Sequence, residues 1–337
     1  MIEVAFLNVA NADSIVIHNP ESTGAVIDVP QPRRVFNWFH QRNCIHIEYI
    51  FLTHNHSNHA PPLPKLVNFI VNWLNSGTVH FLILPRDYLD QAFTKARNIG
   101  QQGADEHKHA LDALETMQDR QQLIIVPAEK GTTTPTMDEI TFQILYPSVL
   151  DVTQAKIKEN ALSLVLQLRY GAFTMLLPAD IDGIGLSKLL KRSTNLDSQI
   201  VKIPHHGAWS DHSEDNWRKL LDNSDPEFAV LSVGSRNPYK HVKPELFQEL
   251  WSRQQSPNTR LRKFVCTEVT RTCVFTAQIR RQMEGTGLVQ RRACGGDITI
   301  AANKDGSWIF LNENEHATRL KKVEMPACLG KADLQTQ

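Results

Sequence analysis

The apolar strand pattern "YIFL" ends at Thr53 and is followed at once by His54, His56 and His59, three imidazoles within six residues. A strand that ends this way places them on one tight loop. His54 and His56 are offset by two and can reach one ion, whereas His59, at the start of the next helical stretch, projects elsewhere and can serve a second. Neutral imidazole is the commonest nitrogen donor to zinc-like cations, so the loop reads as a metal site. Two later strand ends offer matching groups. Asp180 closes "TMLLPAD", and a carboxylate between two ions is how dinuclear sites compensate charge. His205 and His206 close "VKIPHHG", beside a glycine that lets the backbone pass close to a site. Taken singly, a strand-end carboxylate is more often a cap or an exposed turn, and a paired HHG a polar loop; with the first three histidines they form a constellation.

Apolar alternation and β-branched residues predict early strands at Ile2–Val9, Ser14–His18, Ala25–Asp28 and Tyr49–Leu52. "PQPRRVFNWFHQR" and "PPLPKLVNFIVNWL" have helical apolar spacing with prolines suited to a first turn. Strands follow at "VHFLILP", "LIIVP" and Ile140–Tyr146, then at Leu162–Arg169 and Ala172–Leu177, a hairpin about "YGA". The long polar stretch from Arg86 to Arg120 reads as helix, with His107 and His109 on a solvated face. A helix near Gly183–Lys191, strands "QIVKIP" and "FAVLSV", a helix from Pro244 and strands around Val265 and Val274 complete the pattern. Interleaved helices, antiparallel hairpins and no GxGxxG loop point to an α/β protein built as an αββα sandwich rather than a dinucleotide-binding fold. The main domain is expected over residues 1–284, with a small β-rich C-terminal appendage over 285–337.

Composition narrows the class. With 41% hydrophobic and 21% charged residues the 337-residue chain reads as an ordinary globular protein, and no apolar run approaches the roughly 20 residues of a spanning helix. The N-terminus reads as a strand rather than a secretory signal, so a cytoplasmic protein with no membrane partner is expected. Formal charge is zero, which withholds the global footprint of a nucleic-acid binder. Locally, nine Arg or Lys residues between Trp251 and Ala293 face only Glu268 and Glu284. This reads as a solvated basic face, with a phosphate-contacting surface as the alternative. Cys44 stands apart, while Cys266, Cys273, Cys294 and Cys328 fall in the last quarter. Their spacing is too wide for a zinc ribbon or finger, so they are expected as core residues, with a structural zinc site as the alternative.

The motif order carries a resemblance. "LNVANADS" (7–14), "VIDVP" (26–30), "LTHNHSNHAPP" (52–62), "NALSLVLQLRYG" (160–171), "LLPAD" (176–180), "IPHHGA" (203–208) and "SVGSRNPYKH" (232–241) run in sequence. Together they resemble the metallo-β-lactamase superfamily, in the branch related to the hydrolase domain of ComEC, the bacterial DNA-uptake protein. The likeness covers about residues 1–280 and implies an αββα metallo-β-lactamase sandwich. It also implies a metal-dependent hydrolase of phosphodiesters, a nuclease holding one or two zinc or manganese ions. By the same resemblance His54, His56, His59, Asp180 and His205 are the metal ligands and Asp180, Asn58 and His206 the catalytic positions, with the choice between His205 and His206 as ligand left open. Asp13 and Asp28 are implied near the site, and Asn237, Tyr239 and His241 on its substrate side. Trp209, Ser210, Asp211 and His212 read as an exposed polar loop. Nucleic acid is the implied substrate, and soluble members of the branch occur as bacterial phage-defence effectors, which would suit a regulatory protein partner.

Departures from the family pattern matter as much. Asn58 stands where the family has an aspartate, and a neutral amide offers a second ion only a weak carbonyl oxygen. Ala10, Ala12, Pro30, Pro61, Pro62 and Ala179 replace glycines, which predicts a reshaped pocket floor. A catalytically degenerate protein that keeps the fold for binding or scaffolding is the competing expectation.

Overall fold

The computed structural model describes residues 1–337 other than 154–158, 193–194, 210–213, 236, 271–272, 274–293, 322, 324–325 and 330–337. The chain opens with β1 (Ile2–Phe6), β2 (Ile15–His18), β3 (Thr23–Ile27), α1 (Pro32–His40), β4 (His46–Phe51), α2 (Leu63–Leu74), β5 (Thr78–Pro85), α3 (Tyr88–Ile99), α4 (Gln101–Asp119) and β6 (Ile124–Ala128). A second run supplies β7 (Ile140–Tyr146), α5 (Val149–Thr153), β8 (Val165–Tyr170), β9 (Phe173–Leu177), α6 (Gly183–Arg192), β10 (Ile200–Lys202), α7 (Glu214–Ser224), β11 (Phe228–Leu231), α8 (Pro244–Gln255) and β12 (Lys263–Cys266). Then come β13 (Ile298–Ala302), β14 (Trp308–Phe310) and α9 (Glu313–Leu320). Prolines fill the first turns of α1, α2 and α8, where a missing N–H leaves no intrahelical bond unmade.

Two sheets result, one ordered β14-β13-β1-β2-β3-β4-β5-β6 and the other β12-β11-β10-β9-β8-β7. Phe6, Phe51, Phe142, Leu166, Met175 and Phe228 pack between them. Trp38, Phe39, Leu66, Ile70, Trp73 and Leu114 seal helices onto the outer face of the first sheet, and Leu186, Leu189, Leu220, Leu246 and Leu250 do so on the second. The product is the expected αββα sandwich. Each fully buried large side chain contributes about 1.5–3 kcal/mol, so three apolar layers outweigh the polar cluster described below. Among the described residues no helix is long and apolar enough to cross a membrane.

Strand direction decides where chemistry can sit. β1 and β3 each pair antiparallel with β2, and β3, β4 and β5 are parallel, so β1, β3 and β4 end at one edge. β9, β10, β11 and β12 are likewise mutually parallel. Chain segments leaving these strands therefore gather at one rim.

Two details differ from the sequence pattern. β13 pairs along its whole length with β1, from Ile2 opposite Ala302 to Phe6 opposite Ile298, and β14 pairs with β13. These C-terminal strands thus continue the first sheet, since the outer edge of β1 has backbone groups to satisfy and β13 is buried throughout. The helical stretch breaks at Gly100 into α3 and α4, and their packing buries His107 against Phe93, with ring centroids 5.7 Å apart; His109 alone is exposed. The strand expected around Val274, the clusters "IRR" and "QRR", and Ser210, Asp211 and His212 lie outside the described residues.

The β8–β9 hairpin turns at Gly171, whose φ of +61° suits glycine, and an added Cβ would collide with the Lys304 carbonyl that receives the Ala172 N–H. Gly171→Ala is expected to lower unfolding stability by about 1–3 kcal/mol in urea titrations. An unchanged midpoint would contradict this account of the turn.

Candidate metal centre

Five strand ends supply the rim cluster. The loop after β1 carries Asp13; β3 is followed by Asp28, β4 by Thr53 and the three histidines, β9 by Asp180, and β10 by His205 and His206. Asp13, Asp28, His54, His59, Asp180 and His206 are all buried, while His56 and His205 are partly open. His59 was expected to project away, yet its ring centroid lies 4.2 Å from that of His54. A tight turn, with the His59 N–H donating to the His56 carbonyl at 2.9 Å, folds it back.

Hydrogen bonds assign the tautomers. Thr53 Oγ1 donates to Asp28 Oδ2 at 2.8 Å, so at 3.1 Å it can only accept from His54 Nδ1–H. His56 Nε2–H donates to Glu159 Oε2 at 2.7 Å, His59 Nδ1–H to Asp28 Oδ2 at 2.6 Å, and His206 Nδ1–H to the Ser232 carbonyl at 2.8 Å. In its neutral form each ring therefore turns its remaining lone pair inward. His54 Nε2 faces His56 Nδ1 at 3.1 Å, and His59 Nε2 and His206 Nε2 face Asp180 Oδ2 at 3.1 and 3.2 Å. Lone pairs opposed at such distances repel unless a proton or a cation lies between them. Imidazoles fixed through their outer N–H by a carboxylate, hydroxyl or carbonyl are the arrangement that metal-binding histidines use.

Charge points the same way. Three carboxylates, Asp13, Asp28 and Asp180, are buried at this rim with one ammonium group among the described residues, Lys202, which contacts Asp13, lies 3.5 Å from Asp180 Oδ1 and donates to the Ala179 carbonyl at 2.9 Å. With the histidines neutral, two negative charges remain uncompensated, which equals the charge of one divalent cation. Burial alone would lower the pKa of His59, but Asp180 and Asp28 outweigh it and raise it to about 10. His54, desolvated and beside His59, is pushed well below the ordinary imidazole value. Asp180 is buried, which favours its neutral form, yet His206, His59 and Lys202 hold it well below the carboxylate range. Asp28 is already engaged at both oxygens by Thr53 and His59, so it positions rather than binds. Among the described residues, Asp180 Oδ1 and His59 Nε2 are buried without a directed hydrogen bond. The donors fit a divalent cation.

Two overlapping donor groups share Asp180. In one, His54, His59 and Asp180 offer atoms within 4.8 Å of one another; in the other, Asp13, Asp180 and His206 do. The second is encumbered. Lys202 already supplies positive charge there, and the Asn58 amide donates to His206 Nε2 at 3.1 Å and to the Asn11 carbonyl at 3.2 Å. His205 points elsewhere: its Nε2 accepts from the Asn160 amide at 3.1 Å, its ring lies 5.7 Å from that of His241, and burial lowers its pKa. Asn237 organises the loop beside it, donating to the His241 carbonyl at 3.1 Å and accepting the Tyr239 N–H at 3.0 Å. Trp209 is buried against Trp217, not exposed.

The glycine replacements do not reroute the floor at Ala10 and Ala179, which keep glycine-like φ values of 66° and 50°; Asp28, His205 and His206 share this conformation at 61°, 47° and 52°. Such strain costs roughly 1–2 kcal/mol per residue, and five such residues lie at the site. Lys202, Glu159 and Asn160 were not singled out by sequence pattern. The signal for Lys202 was a lone cation inside the apolar strand "QIVKIP". A surface cleft of about 430 Å³ beside α1, lined by Arg33, Arg34, Trp38 and Asp297 among others, includes none of the rim histidines.

No family model matches the chain. It is 34% identical to competence protein ComA of Neisseria gonorrhoeae over 105 residues, 31% of this chain and 14% of that protein. With ComE operon protein 3 of Bacillus subtilis (strain 168) it shares 25% identity over 112 residues, 33% of this chain and 13% of that protein. The matches thus span only a small part of these curated relatives. Among solved structures it is similar to unliganded yeast PDE1, with a TM-score of 0.46, 10% identity, and coverage of 79% of this chain and 97% of that one. In its four-layer architecture, its motif order and the competence-protein matches, the chain resembles the metallo-β-lactamase superfamily, in the branch related to ComEC.

Lys202→Met removes the single ammonium from among the buried carboxylates. The metal-free variant is expected to lose about 3–5 kcal/mol of stability in chemical denaturation. Wild-type stability in that variant would show that Asp13 and Asp180 do not depend on it.

Proposed function

We propose that this protein is a metal-dependent hydrolase of phosphodiesters, acting in the cytoplasm on nucleic acid, with one firmly held cation and a weakened second position. The reading is carried by the imidazoles of His54, His56, His59 and His206, each anchored through one nitrogen while the other faces the cluster around Asp180. His54, His56, His59 and Asp180 would hold a zinc or manganese ion, and His206 with Asp180 a second. Such an ion supplies Lewis acidity toward a phosphoryl oxygen and brings the pKa of water toward neutrality.

The chain's own groups do the positioning. Glu159, Thr53 and Asp28 orient the rings, and Lys202 holds Asp13 and Asp180 in place. Tyr239, 68% exposed and stacked on His241 at 5.8 Å, offers an aromatic face for a base, with exposed Lys240 beside it for phosphate. Burial, then the nearby His205, lowers the pKa of His241 to about 4, so it stays neutral at working pH. A place among bacterial defence effectors, switched by a protein partner, follows from family analogy alone.

One observation favours a second reading, a fold retained for binding. The Asn58 amide occupies the inward nitrogen of His206, so the position that lost a carboxylate also loses an imidazole.

Purified protein is expected to retain metal and to cut bis(p-nitrophenyl) phosphate, single-stranded DNA or RNA in a chelator-sensitive way. His54→Ala and Asp180→Ala should each lower kcat/KM by about 100-fold or more. Full activity in both variants contradicts the hydrolase. Asn58→Asp frees His206 and restores the carboxylate, so metal analysis should find one further ion per chain; unchanged content would show that Asn58 does not limit the second position.

A further inference from the structure

The second concentration of metal-binding side chains lies away from the rim histidines. Cys266 ends β12, Cys273 follows it, Cys294 precedes β13, His316 lies in α9, and Cys328 comes after that helix. All five are buried, with exposures from 1% to 9%, against the helix-covered face of the second sheet. Cys294, His316 and Cys328 offer donor atoms within 4.8 Å of one another. Cys266 and Cys273 lie in the same buried cluster as Cys294 and Cys328.

From these residues we infer a structural zinc site made by Cys294, His316, Cys328 and one of Cys266 or Cys273. Distance supports it. Tetrahedral zinc with bonds of about 2.3 Å to sulfur and 2.0–2.1 Å to nitrogen spans a sulfur and a nitrogen roughly 3.6 Å apart. Cys294 Sγ and His316 Nε2 are 3.6 Å apart. His316 is 1% exposed, and its Nε2 faces Cys294 Sγ. Cys273 Sγ also accepts the Ala327 N–H at 3.5 Å, the kind of outer support that steadies a thiolate.

The site would tie four chain segments together. Gly295 and Gly296 N–H groups already donate to the Cys266 and Thr267 carbonyls at 3.0 and 2.9 Å, and the neighbouring Glu268 receives the backbone N–H and hydroxyl of Ser235, both at 2.7 Å. Zinc bound here therefore fixes the C-terminal segment against the strand end that supports the Ser235–His241 loop. The inference does not depend on the hydrolase reading.

The test uses the full chain carrying His54→Ala and Asp180→Ala, so that the rim cluster no longer competes for metal. Loaded with cobalt(II), it should show the near-ultraviolet sulfur-to-cobalt charge-transfer band of a tetrahedral thiolate site, and the zinc form should hold one ion per chain. Cys294→Ser should remove both signals, whereas Cys44→Ser should leave them intact. Absence of the band with five free thiols, or a disulfide among the four C-terminal cysteines, would overturn the site. Because the spectrum is read on protein with every cysteine present, the result stands even where Cys294→Ser fails to fold.

Discussion

Three carboxylates buried with a single ammonium group set the terms for the rest of this molecule. An uncompensated charge in a desolvated rim costs several kcal/mol, so Asp13, Asp28 and Asp180 demand compensation that Lys202 supplies only in part. The raised pKa of His59 is one expression of that demand in the absence of a cation. The other is geometric: His54, His56 and His59 each turn a nitrogen toward the excess charge, as does His206, whose Nε2 also accepts from Asn58. The scaffold makes this possible because parallel strands in both sheets end at the same rim and their apolar layers hold the strained loops there.

Much of this arrangement was legible in the residues. Apolar alternation located the strands through Leu177, and the chain breaks after "YIFL", "TMLLP" and "VKIP" marked the loops that bear His54, Asp180 and His206. What stayed hidden was set by partners distant in sequence. Lys202 looked like an interruption of an apolar strand because the carboxylates it meets lie 22 and 189 residues earlier in the chain. His205 and His206 are neighbours, yet only the left-handed backbone of both sends one to Asn160 and the other to Asp180. The four C-terminal cysteines were too widely spaced to suggest a cluster, and only the pairing of β13 with β1 brings the segment after residue 293 back to β12.

Asn58 shows why a single substitution has more than one consequence. Removing a carboxylate lowers the charge available to a second cation, and the amide that replaces it has donors to place. Those donors go to Asn11 and to His206, which strengthens the metal-free packing of the very ligand the second position needs. The first position shares no atom with this contact. The two donor groups share Asp180, yet only the second contains His206, so the proposed site is asymmetric, stronger on the His54 side than on the His206 side.

Anomalous diffraction recorded at the zinc and manganese absorption edges, on crystals grown with each metal, examines this account most directly. It predicts a strong peak touching His54 Nε2, His56 Nδ1 and Asp180, with a weaker one or none beside His206. Featureless anomalous maps at that rim, with His54 and His56 still facing each other through a shared proton, would contradict it.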